Sequence, residues 1–121
     1  MTTVARDITS VFESDNGPLL YVPRDMRIPE SVRAFEFEFE FDIAIPQRPV
    51  WKWYDFLQPI VYCRLDDKTR MFWDWLRYEM EHKYIPIETV ICEMLTSAES
   101  AYWIDMIHLR IILLPAEFGS Q

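Results

Sequence analysis

Glycine is nearly missing from this chain: there are two in 121 residues, Gly17 and Gly119. A phosphate-cradling loop or a dinucleotide fingerprint needs several glycines, so that backbone N–H groups can approach the anion at a helix start. Nucleotide chemistry of that kind is therefore excluded, and loop shape must come from the eight prolines instead. Cysteine is equally scarce. Cys63 and Cys92 do not stand at zinc-ligand spacing, and no His-Glu-x-x-His signature accompanies them. Both sit in apolar surroundings without a cluster of cations, so buried, reduced thiols are expected rather than a nucleophile.

Long hydrophobic runs are missing as well. Ile111–Leu114, the longest candidate, falls far short of the ~18 residues of a membrane span. The stretch from Met1 to Asn16 carries Arg6, Asp7, Glu13 and Asp15 and no apolar segment, unlike a secretory signal. A cytoplasmic location is the expectation. Positive charge is in short supply: 12 Lys and Arg against 20 Asp and Glu leave a net charge of −8. Phosphate backbones and anionic membranes both require clustered cations. Neither direct nucleic-acid binding nor membrane binding is expected; a negative field steers toward basic partners instead.

What is present suffices for a folded domain. Half the residues are apolar, and a chain of this length buries roughly two thirds of its unfolded surface without help from a metal or disulfide. A single domain over 1–121 is expected, with 1–33 largely irregular because Gly17, Pro18, Pro23 and Pro29 interrupt it. Within that segment Leu19–Val22 reads as a short extended piece. From Phe35 to Ile45 apolar residues alternate strictly with Glu36, Glu38, Glu40 and Asp42. Alternation of period two marks a half-buried strand with one wet face, and Pro46 and Pro49 are expected to end it. Ile60–Leu65 reads as a second strand.

Asp66 suits a helix N-cap, opening a helix to about Lys83 with Met71, Phe72, Trp75, Leu76 and Met80 as its apolar stripe. Trp73 lies off that stripe; it is either exposed or widens the stripe under the sheet. Pro86 suits the first turn of a second helix, whose Ile87, Val90, Ile91, Met94 and Leu95 repeat with helical period. Thr96–Ser100 reads as a turn. Tyr102–Leu114 fits both periods, and its β-branched density favours a strand over a helix. The fold class predicted is α+β: a small sheet, antiparallel or mixed, packed against two helices.

No motif identifies an enzyme, and no catalytic, cofactor-binding or metal-ligating residue is assigned. Glu79 and His82 share a helix face at di-iron spacing, but those centres need a second copy and two more glutamates. The surface offers more. Glu36, Glu38, Glu40 and Asp42 form a row of carboxylates about 6.8 Å apart. Either cross-strand cations such as Arg64 and Arg110 offset the row, or it meets a basic groove. Trp51, Trp53, Tyr54 and Phe56 crowd six positions, and one strand face cannot bury all four; they are core, or interface anchors of the type that dominates hot spots. Glu36, Glu38, Glu40, Asp42, Trp51, Trp53 and Tyr54 are accordingly the candidate partner-binding residues. A small, acidic, aromatic-rich, motif-free chain has the profile of an inhibitor of a basic protein, monomeric or dimeric, such as an anti-CRISPR or other phage-encoded protein acting on a nucleic-acid-binding enzyme, or a toxin immunity protein. A subunit of a larger assembly and a small-ligand or enzymatic module are the rival readings.

Overall fold

A computed structural model describes residues 2–29, 40–52 and 55–119, with only the backbone described at 51 and 52. The order is β1 (Thr3–Ala5), α1 (Ile8–Glu13), β2 (Gly17–Tyr21), β3 (Ile43–Lys52), β4 (Asp55–Leu57), β5 (Val61–Leu65), α2 (Asp67–Lys83), α3 (Ile87–Thr96), α4 (Ala98–Met106), β6 (Ile111–Leu114) and a 3-10 turn at Ala116–Phe118. The class is α+β. The six strands form one mixed sheet in the order β1-β2-β5-β3-β4, with β6 also paired to β3. β1 and β2 run parallel, as do β3 and β6; β2–β5, β3–β5 and β3–β4 are antiparallel.

Register explains why this sheet is buried on both sides. Leu19, Cys63, Ile43 and Ile111 lie across from one another on β2, β5, β3 and β6. They pack with Leu76, Ile91 and Trp73 of the helical layer in the main core. The neighbouring row, Leu20, Tyr62, Ala44 and Ile112, points the other way. It joins Phe41, Ile60, Leu114 and Phe118 in a second, smaller core. Tyr62 donates its hydroxyl to the Phe118 carbonyl at 2.7 Å, which fastens the C-terminal turn over this face.

The N-terminal segment is more ordered than Gly17 and its prolines imply. Asp7 caps α1 by accepting from the Ser10 N–H at 2.8 Å, and β1 and β2 flank that helix. A three-residue strand and a six-residue helix are too short to show a period in the sequence. The half-buried strand expected over 35–45 does not hold at 41–45. Phe41, Asp42, Ile43, Ala44 and Ile45 are all buried, so no wet face exists there. The strand begins at Ile43 and runs through both prolines to Lys52. Pro46 has no N–H to give the ladder, but its carbonyl still accepts the Gln58 N–H at 2.9 Å. Pro49 falls where the β3–β4 register shifts.

Asp66 caps α2, and Thr69 at N3 completes a reciprocal box: the Thr69 N–H donates to Asp66 Oδ1 and the Asp66 N–H to Thr69 Oγ1, both at 2.8 Å. The helix ends at Lys83, with Tyr84 in the left-handed region. Its buried residues are Thr69, Phe72, Trp73 and Leu76, whereas Met71 is 49% exposed. The face against the sheet is thus rotated toward Trp73 from the stripe that begins at Met71. α3 buries Ile87, Val90, Ile91 and Met94 as its period requires. The third main helix, α4, replaces the turn and most of the strand expected over 96–114. Ser97 caps it by accepting from the Ser100 N–H. His108, at φ 55, turns the chain so that only Ile111–Leu114 continues as strand. Among the described residues, no helix is long and apolar enough to cross a membrane.

Two ionisable groups sit side by side on β5 and face opposite cores. Burial pushes the Cys63 thiol up from 9.0 to about 11, and burial pushes the Tyr62 phenol up from 10.0 to about 12. Folding favours the protonated form of each, so the stabilisation is complete below the unfolded value and is lost as pH rises through the folded one. Stability in urea should hold to about pH 9 and then fall steadily toward pH 12. Cys63→Val should flatten the part of that fall between about pH 9 and 11. An unchanged slope in that variant would show that the thiol ionises freely in the folded chain.

Candidate functional site

Of the seven residues expected to bind a partner, Glu36, Glu38, Trp53 and Tyr54 lie outside the described residues, and Trp51 is described by backbone alone. Glu40 is exposed and forms an ion pair with Arg110. That hydrogen-bonded guanidinium holds the Glu40 carboxyl below its ordinary value. Asp42 does not stand beside Glu40 on a wet face. It is buried, accepts from the Arg110 backbone N–H at 2.7 Å and pairs with Lys68 Nζ at 3.0 Å. The reason is local: β3 enters the sheet at Ile43, and the Asp42 carboxylate closes the start of the β3–β6 ladder.

A different concavity is built on the helical layer. Trp75 of α2 and Trp103 of α4 meet with ring centroids 6.0 Å apart and planes inclined by 30°. They line a cleft of about 500 Å³ that Glu79, Lys83, Glu93 and Glu99 also border. Trp75, Glu79 and Lys83 follow at intervals of four on α2 and so share one face. Glu93 comes from α3 and Glu99 from the first turn of α4. Lys83 bridges Glu79 at 2.9 Å and Glu93 at 3.2 Å. The hydrogen bond to Glu79, and then that to Glu93, raises the Lys83 ammonium above its ordinary value. Glu99 has no ion pair among the described residues. The border therefore carries three carboxylates against one ammonium, and two negative charges stay uncompensated.

This cleft escapes a reading of the sequence because it needs α4. Trp103 placed on a strand has no reason to meet Trp75, and Trp75 alone belongs to a core stripe. The spacing of Trp75, Glu79 and Lys83 was the available signal. Glu79 and His82, the other pair singled out on this helix, take separate partners. Glu79 faces Lys83, while His82 stacks on Tyr78 with centroids 3.8 Å apart and its Nδ1 lies 2.8 Å from the Tyr78 carbonyl. Both cysteines are free and buried. Compared with known proteins, the chain matches no family model, no curated protein and no solved structure.

Proposed function

We propose that the chain works by binding a basic protein and blocking it, as an inhibitor of a nucleic-acid-binding enzyme or as a toxin immunity protein does. Phage- or mobile-element-encoded anti-defence proteins, anti-CRISPR proteins among them, are the kind of inhibitor meant. One observation carries the reading: the helical layer holds acids in excess, and its cations are already engaged. Over residues 67–106 there are eight acids and four Lys or Arg. Lys68 pairs with Asp42, Arg77 with Asp74 and Lys83 with Glu79 and Glu93. Arg70 donates to the Ser14 carbonyl and the Asn16 side chain. Glu81, Glu99 and Asp105 are exposed with no ion pair among the described residues, so the layer presents net negative charge to solvent. Such a surface raises the association rate with a cationic cleft and rejects acidic competitors.

The test is capture on the immobilised chain from the cells that naturally make it, with retained proteins identified by mass spectrometry. A basic partner should be retained at low salt and released as ionic strength rises, because exposed charges are screened within about 8–10 Å near physiological salt. Retention of an acidic protein, or retention indifferent to salt, would end the reading. A subunit of a larger assembly is the second reading, favoured by α4, which has no buried residue and exposes Tyr102 and Met106. Sedimentation separates the two: an inhibitor should run as monomer or dimer at micromolar concentration, a subunit as something larger.

A further inference from the structure

We propose that the cleft between α2, α3 and α4 receives one arginine side chain of the basic partner. The inference rests on the function proposed above and specifies where and how that partner is held. Charge comes first. The cleft is ligand-sized at about 500 Å³, and its border holds two uncompensated negative charges. An occupant should therefore be cationic. The helix ends leave this sign in place: α3 ends and α4 begins at the same residue, Ser97. Their partial charges are opposite and meet at one point, so the side-chain carboxylates set the local field.

The choice of arginine follows from what the carboxylates and rings leave open. Lys83 already supplies an ammonium between Glu79 and Glu93. Glu99 remains, and it stands four residues before Trp103 on α4, so carboxylate and indole lie on one helix face. A planar guanidinium can lie on an indole face and offer its N–H edge to a carboxylate at once; a compact, strongly hydrated ammonium does this poorly. The Trp75 and Trp103 rings are too close at 6.0 Å to admit a third plane between them. The guanidinium therefore stacks on the outer face of the pair.

The test uses blocked glycine peptides that carry a single arginine, lysine or citrulline. They are titrated against the ¹⁵N-labelled chain while the indole N–H signals are followed, with Trp75→Phe and Trp103→Phe used for assignment. The arginine peptide should move the Trp75 and Trp103 signals at millimolar concentration. Lysine should bind several-fold more weakly, and citrulline, which keeps the shape without the charge, should leave the signals in place. Glu99→Gln, an exposed change that spares the fold, should weaken arginine binding about fivefold or more. Citrulline binding as well as arginine, or still signals throughout, overturns the proposal. If a basic partner is captured with equal strength by the parent chain and by Glu99→Gln and Trp103→Phe, the cleft is wrong and the broader reading stands. If no basic partner is captured while the arginine peptide binds, the broader reading falls and the cleft keeps its preference.

Discussion

Trp73→Ala should lower the free energy of unfolding by about 3–5 kcal/mol, as expected for removing a filled aromatic position from a core. The side chain has no exposed surface. It leans on Tyr21 with centroids 5.6 Å apart and meets Phe72 edge-on at 6.2 Å. Its indole N–H donates to Cys63 Sγ at 3.4 Å, so truncation leaves a cavity and removes that contact as well. Domains of this size are stable by only about 5–15 kcal/mol, and a large share of that margin would disappear. Met71→Ala, at a position the sequence pattern places inside, should cost no more than about 0.5 kcal/mol because that side chain is half exposed. Urea unfolding of the two variants decides between the two rotations of α2. A larger loss at Met71 than at Trp73 would mean that the helix presents its other face to the sheet.

Asp42→Ala is expected to be the costliest change among the acidic residues, at about 2–3 kcal/mol. The carboxylate answers the Arg110 backbone N–H and pairs with Lys68, and its removal leaves a sheet N–H without an acceptor at the opening of the β3–β6 ladder. The Lys68 side chain is 31% exposed and can turn to water, which limits the loss. Asp42→Asn keeps an acceptor for the Arg110 N–H and should cost about half as much. Glu40→Gln should leave stability essentially unchanged, because the Glu40–Arg110 pair is open to solvent. The melting curves of these three variants separate a structural acid from a surface acid two residues away. Equal effects at 40 and 42 would restore a continuous acidic face.

These two positions also show what the sequence could and could not convey. Boundaries written in local chemistry were legible: Asp66 opens α2, the helix ends at Lys83, and the period of Ile87, Val90, Ile91 and Met94 defines α3. Ile60–Leu65 and Leu19–Val22 were legible as extended chain because β-branched or aliphatic residues are dense there. Features set by partners distant in sequence were not. Alternation around Asp42 predicts a wet face only if nothing covers it, and here Phe41, Leu114 and Phe118 form a second core. Met71, Phe72, Trp75 and Leu76 form a plausible stripe because α2 touches the sheet, α3 and α4. One side carries Trp73 to the sheet and another carries Trp75 to α4, and a single period cannot separate them. α4 was the decisive omission. Its residues satisfy both strand and helix spacing, and without it the Trp75–Trp103 cleft has no third wall.

The manner in which the sheet is closed has a consequence for biosynthesis. β6 is laid parallel to β3, the Asp42–Arg110 contact spans 68 positions, and Tyr62 reaches across 56 positions to Phe118. Contacts of such separation form late, since a long loop must be ordered before they reward it. On the ribosome, a nascent chain that has emerged only as far as α4 holds β3 with one flank of its first residues unpaired and with Tyr62 and Ala44 uncovered. An unpaired strand beside uncovered apolar surface is a template for association with other chains. Residues 111–118 end that exposure when they emerge, pair with β3 and cover Tyr62 and Ala44.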